Sequence, residues 1–421
     1  AYGEGGIAFW YGAELTLVNS IVRGNTPWEI KLTGWGANTL NVSYSNIGGG
    51  INEGFGVSSG DDDTVNWGDG NIDVDPLFVS DNDYNLQDGS RCIDAGTTDT
   101  NSDGASDITE FNGLGPDLGA YESPYTATQG CADISALNYN PDSWVNDGSC
   151  EYAPEYNGTS WYVSTSGNDL TGNGSEEYSF SSIQQALDLA ENGDSVLVEP
   201  GTYNEQLTWP DINGITLIGE GGTIENPITI DAGGQGGRVL IIDNVQATTI
   251  QGVTLTGGFF DDANDGAGVY INNSDVTFTS VIVIDNHIDS QVNEPRSGGG
   301  VYAKGSTLVL NGVTLEDNSV RVIEEAGWAE TGGGLYAEAC DITIDYIYVL
   351  DNYSDSNAGG ISVFYGTLEM NNAHFQGNDA NGSYAAMQIQ DVTNLTTNEL
   401  SIHTNGTTHC NNYGAGIIGG S

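Results

Sequence analysis

The sequence predicts an all-β solenoid, a right-handed parallel β-helix, on three observations. Glycine makes up 61 of 421 residues, and aspartate, asparagine, serine and threonine are abundant, a composition suited to short strands and frequent turns. A window of 21 residues recurs, opening on a small residue and closing on asparagine: Gly266 to Asn286, Gly298 to Asn318, Gly332 to Asn352, Ala358 to Asn378, Ala385 to Asn405 and, far upstream, Gly5 to Asn25. Inside the window apolar residues alternate with polar ones, the period-two signal of half-buried strands.

Position 11 holds Val276, Leu308, Ile342, Leu368, Leu395 and Leu15, and position 13 holds Phe278, Leu310, Ile344, Met370, Thr397 and Leu17. Positions 16 and 18 repeat the habit, as in Val281 and Val283 or Ile347 and Val349, and Val269, Val301, Leu335 and Ile361 mark an earlier strand. Three short strands per window follow. Equivalent positions return only after 26 to 34 residues, so each strand pairs with its copy one turn later. Such pairing is parallel and right-handed, with a rise of about 4.8 Å per turn. Loops of unequal length, at 289–297 and 320–331, fall at one corner, as in other solenoids. The closing residues Asn25, Asn286, Asn318, Asn352, Asn378 and Asn405 are expected to take the left-handed turn and to bond to one another as a ladder along the axis.

Residues 161–203 contain the one convincing helix, at about 181–192. Ser181 or Ser182 offers a cap, Ile183, Ala186, Leu187 and Ala190 form one face, and Gly193 stops it. It precedes the coils and is expected to cover the solenoid's open end. This stretch resembles the N-terminal cap of right-handed parallel β-helix proteins of the pectate-lyase-like superfamily, including pectin methylesterases and many large secreted bacterial proteins. Residues 1–123, with SIVRGN, VSYSNIGGG, GNIDVDPLF, DYNLQDGSRCIDAG and DLGAYE, resemble the opposite end of such proteins. The resemblance implies an inverted order: a C-terminal type of β-helix part at 1–125, a linker module at 126–156, and a cap with coils at 157–421, both ends of the chain reading as mid-solenoid. An extended 124–160 linker would reach about 110 Å. That exceeds the roughly 40 Å length of some eight coils. The first part could then close on its own chain, or complete a neighbouring copy head to tail and so build a filament.

Three groups of residues are candidate sites. Asp99, Asn101, Asp103, Ala105 (through its carbonyl), Asp107 and Glu110 have the spacing of a calcium loop, with Gly104 at the sharp turn. Residues 130–152 resemble a short module of secreted bacterial proteins with the pattern GC-D-ALNYNP-DGSC. Cys131 and Cys150 flank it and are expected to bridge, which implies an oxidising compartment. The oxygens of Asp133, Asn138, Asn140, Asp142, Asn146 and Asp147 could hold a second calcium. The pairing of Cys92, Cys340 and Cys410 stays open. Trp10, Tyr11, Trp28 and Trp35 could stack on sugars, although contact with the preceding coil is the preferred reading.

Lys plus Arg is 7 and Asp plus Glu is 59, a net charge of −52 that repels nucleic acid and anionic membranes. No apolar run is long enough to insert in a membrane. The residues from Ala1 lack a basic secretory start, so a signal for export would lie outside this sequence. Catalysis is expected to be absent. Arg23, Lys31, Arg91, Arg238, Arg296, Lys304 and Arg321 are too few to converge on one groove. His287, His374, His403 and His409 are scattered, and no counterpart of the methylesterase segments GxDFIFG or LGRPW, or of the polygalacturonase NTD and RIK motifs, is present. The reading from sequence is therefore a secreted, calcium-supported, non-enzymatic structural protein of the cell surface or matrix. Its partners would be copies of itself and extracellular glycans; the alternative is a polysaccharide-binding or polysaccharide-degrading β-helix protein.

Overall fold

The computed structural model describes residues 5–33, 36–57, 62–234, 236–261, 264–290, 296–322 and 332–407. Its contacts divide the chain into two units, Ala1–Tyr152 and Ala153–Ser421.

The second unit is the solenoid that the repeat predicts. Val269–Asn272 pairs in parallel with Leu240–Asp243 on one side and Val301–Lys304 on the other, and the column continues through Leu335–Leu350, Ile361–Gln376 and Met387–Gln390. A second face stacks Thr248–Gln251, Asp275–Thr279 and Thr307–Glu316 under the later halves of the same long strands. A separate sheet of short strands runs from Phe259–Phe260 through His287–Ser290 to Gly406–Thr407. The window's three strands are partly fused, because Leu335–Leu350 and Ile361–Gln376 pass a corner without leaving the ladder.

Alternation sets what lies inside. Val276, Leu308, Ile342 and Leu368 form one buried file, and Phe278, Leu310, Ile344 and Met370 form the next. Corners need left-handed backbone, and it recurs in frame: Asn273, Gly305, Ala339 and Tyr365, then Ser280, Gly312, Tyr346 and Asn372, then Asp285, Asp317, Asp351 and Gly377 all have positive φ. The third set corrects one expectation, since the left-handed residue is the one before the ladder asparagine. The asparagine's part is its amide. Asn286, Asn318, Asn352 and Asn378 are fully buried. Each donates from Nδ2 to the Oδ1 of the next, at 3.0, 3.0, 3.0 and 2.8 Å, the last acceptor being Asn405.

The cap is the helix Ile183–Leu189, with Ser182 as N-cap accepting from the Gln185 N–H. The Glu205 carboxylate also accepts the Ile183 and Gln184 N–H groups, which would otherwise be orphaned in the first turn.

The first unit is a shorter β-helix. Ile7–Phe9, Ile30–Leu32 and Phe55–Val57 stack in parallel, as do Glu14–Val18, Thr39–Ser43 and Thr64–Trp67, around buried Ile30, Leu32, Leu40, Val42 and Ile47. Asn25 is not part of a ladder here: its Nδ2 donates to Glu29 and to the Arg23 carbonyl, because this corner is exposed and has no buried partner amide above it. A serine column serves instead, with the Ser20 N–H donating to Ser45 Oγ and the Ser45 N–H to Asn71 Oδ1. Phe78–Ser80 and Asp83–Leu86 then form an antiparallel pair.

The 126–156 segment is not an extended tether. Ala127, Trp144 and Val145 pack on Cys92, Ile93 and Leu118 within the first unit, and Cys131 is bonded to Cys150. At its other end Pro154 and Tyr156 contact Asn173 and Trp161 of the second unit.

Candidate functional site

In-register stacking brings outward-facing residues of successive coils together as surely as inward ones. The fifth window position holds Tyr270, Tyr302 and Tyr336, whose neighbours Val269, Ile271, Val301, Ala303, Leu335 and Ala337 point inward and are buried. The three rings are stacked face to face, with centroids 5.4 and 5.3 Å apart and interplanar angles of 5° and 13°. Phe364 extends the row, 5.6 Å from Tyr336. At the other end the Arg238 guanidinium lies 4.6 Å from the Tyr270 centroid and 5.0 Å from that of Phe260, a cation between two π faces.

Around this row lie two carboxylates in unlike settings. The Arg238 guanidinium donates to the Asp265 backbone carbonyl at 2.9 and 3.1 Å, and Asp265 Oδ1 accepts the Ser297 N–H at 2.8 Å. Burial pushes the Asp265 carboxyl above the usual carboxylate range, against the pull of the Ser297 N–H and of Arg296, Arg238 and Lys304. Glu338 is ion-paired with Lys304 at 3.1 Å and accepts from the Tyr336 hydroxyl at 3.4 Å. Tyr302 lies within the fields of both acids: burial first, then Asp265 and Glu338, push its hydroxyl up to about 12. Burial and Glu338 raise Tyr336 as well. Both phenols therefore stay protonated donors across the physiological range.

The cation argument from sequence is corrected here. Arg238, Arg296 and Lys304, three of the chain's seven cations, act together on Asp265, because residues 27 to 66 apart in sequence lie on three successive coils. Sequence reasoning missed this row because it followed inward positions only. The signal was three tyrosines at one window position.

The other candidate residues lie elsewhere. In the first acidic loop Asp99 accepts the Asp103 and Gly104 N–H groups, Asn101 that of Asp103, Asp103 that of Ala105, and Asp107 the N–H and hydroxyl of Thr100; Glu110 is exposed. In the disulfide module Asp133 is engaged by Ser135 and Tyr152, Asn138 by Ser149 and Glu151, and Asn140, Asn146 and Asp147 by the N–H two residues on. Among the described residues no three His, Cys, Asp or Glu side chains form a group able to hold a metal ion; both expected calcium sets also draw on asparagine or backbone oxygens, which that grouping does not include.

Trp10 and Tyr11 are exposed neighbours, rings 6.3 Å apart, while Trp28 lies over Gly56 of the following coil. Trp35, His409 and Cys410 fall outside the described residues. His374 sits in an outward row between Tyr348 and His403. Cys92 and Cys340 are buried free thiols.

No protein-family profile and no curated protein sequence matches the chain. Solved structures do. A lacto-N-biosidase of family GH136 from Eubacterium ramulus is similar over 62% of this chain and 67% of its own, at 11% identity and a TM-score of 0.25. A pectin methylesterase variant in complex with a hexasaccharide is similar over 57% of this chain and 81% of its own, at 13% identity and a TM-score of 0.24. Likeness this remote does not identify a reaction. The expectation that the chain is no enzyme is withdrawn: it rested on missing sequence motifs alone, and the solved structures found are of enzymes.

Proposed function

We propose that this chain is an extracellular β-helix protein that binds a polysaccharide along the row Tyr270, Tyr302, Tyr336 and Phe364. The single observation behind the reading is the row itself: rings stacked at coil spacing, whose edges and phenol hydroxyls line up beside Arg238, Lys304 and two acids. Sugars offer hydroxyls to phenol and charged groups and C–H groups to aromatic edges, and such partners are lined up here. The disulfide supports an oxidising location.

The unlike carboxylates extend the reading to cleavage. A carboxyl whose pKa is raised by burial is better suited than an ordinary one to carry a proton to a glycosidic oxygen, the leaving sugar departing as an alcohol and water supplying the hydroxyl that replaces it. Asp265 is that acid in this proposal. The test is a panel of soluble polysaccharides run by affinity electrophoresis, with reducing-end release measured in parallel. Retardation that Tyr302→Ala abolishes, and release that Asp265→Asn abolishes while binding persists, support the proposal. Binding unchanged in Tyr302→Ala would reject the site.

A second reading, head-to-tail stacking of copies, has its own observation. Ile7–Phe9 and Glu14–Val18 pair on one edge only among the described residues, and Ile7, Phe9, Leu15 and Leu17 beneath them are only partly buried. Sedimentation showing concentration-dependent growth that Leu15→Glu suppresses would support it, and a monomer at all concentrations would not.

A further inference from the structure

We infer that His374 and His403 form a binding site for a divalent transition-metal ion of the zinc and copper class, on the outer face of the second unit's β-helix. Register brings the two together. Ile361–Gln376 pairs in parallel with Asn394–His403, so that His374 lies beside Ser401 and Gln376 beside His403. Ala373 and Phe375 point inward and are buried, and Leu400 and Ile402 pack against the same core. The residues that alternate with them, His374, Gln376, Ser401 and His403, therefore share the outer face. The two imidazoles are diagonal neighbours on adjacent strands, with ring centres 6.1 Å apart.

Their nitrogens are open to a ligand, in contrast to the remaining described histidine. His287 is committed on both sides, Nδ1 to Ser319 Oγ and Nε2 to Asp285 Oδ1, each at 2.8 Å. His374 makes one long contact, from Nε2 to Gln376 Oε1 at 3.4 Å, and the His403 ring makes no hydrogen bond among the described residues. Tyr348 meets the His374 ring edge-on, 6.0 Å away at 61°, and bounds it on the side away from His403.

Bond lengths fit this pair. With metal–nitrogen bonds of about 2.0–2.1 Å, two imidazoles on one tetrahedral ion have centres about 5 Å apart. His374 is half-buried and His403 exposed, so small side-chain rotations supply the remaining ~1 Å. Gln376 Oε1, beside both rings, can add an oxygen ligand, with water filling the other positions. Imidazole selects zinc, copper and nickel over calcium and magnesium, which prefer oxygen. The net charge of −52 raises the local concentration of any cation.

The test titrates Zn²⁺ alone into the whole chain by calorimetry, with millimolar calcium present to fill oxygen sites, and follows the histidine ring signals by NMR. We expect one saturable site, at least tenfold weaker in His374→Gln and in His403→Gln. Affinity should be unchanged in His287→Gln and in the double variant His409→Gln, Cys410→Ser, whose residues lie outside the described ones. In the parent the His374 and His403 rings should shift together while that of His287 stays, a readout that needs no variant to fold. Absence of saturable binding, full affinity in either single variant at 374 or 403, loss in His287→Gln or in the double variant, or unmoved His374 and His403 rings would each overturn the assignment.

Discussion

Asn318 and Asn352 meet through a single oxygen: Asn352 Oδ1 accepts both the backbone N–H and the side-chain amide of Asn318, each at 3.0 Å. One buried acceptor thus satisfies two donors of the coil below, while the Asn352 amide reaches the Leu315 carbonyl of that same coil at 2.8 Å. Removing one rung leaves several buried groups unmatched.

Asn318→Ala is therefore expected to cost about 3 kcal/mol, since Asn286 and the Val283 carbonyl lose their partners in a dry interior. Asn405→Ala, at a half-buried rung, should cost about 1 kcal/mol or less. Urea unfolding of the two variants measures both.

Gly300 sits at a close approach of coils: a Cβ there would lie 2.5 Å from the Gly334 carbonyl oxygen and 2.9 Å from Asn318. Neither neighbour can move without breaking the stack. Gly300→Ala should destabilise by about 2 kcal/mol or more. A melting temperature within a degree or so of the parent would show that the coils are more loosely packed.

Cys340 occupies a corner position that serine fills in the two preceding coils. Ser274 and Ser306 donate to carbonyls two residues back at 2.7 Å, and the Cys340 thiol does the same to Glu338 at 3.3 Å. Cys340→Ser should cost less than about 1 kcal/mol, its hydroxyl making the same bond. In the parent, burial raises the thiol's pKa, so Cys340 should resist thiol reagents until the chain unfolds.

Acidity reports on Asp265. Burial raises its pKa in the folded chain above the ordinary value of about 3.9. A raised carboxyl binds more protons folded than unfolded, so its contribution is fully present below the unfolded value and is lost as pH rises through the folded one. The parent should thus lose stability relative to Asp265→Asn on going from pH 4 to pH 7. Thermal melts of the pair give the difference, and a difference that does not change with pH would place Asp265 in water.

The fold was legible because burial in a solenoid is periodic: Val276, Leu308, Ile342 and Leu368 announce their file through spacing alone. The ladder was legible for the same reason, although the left-handed residue proved to be its predecessor, as at Asp317 before Asn318. The candidate site was not read, because outward positions carry no hydrophobic signal and Tyr270, Tyr302 and Tyr336 look like ordinary surface aromatics until stacked. Convergence of Arg238 and Arg296 on Asp265 depends on loop paths between coils, which sequence spacing does not specify. The acidic loop at 99–110 has calcium-loop spacing, and its carboxylates accept N–H groups of their own turn, as in other Asp-rich turns.

Ring signals of the stacked tyrosines offer the most direct test of sugar binding. With tyrosine-labelled protein, titration of an oligosaccharide identified by the polysaccharide panel should shift the Tyr270, Tyr302 and Tyr336 resonances together, with one affinity. If the sugar binds and those three rings stay where they were, the glycan lies elsewhere and the account of this face is wrong.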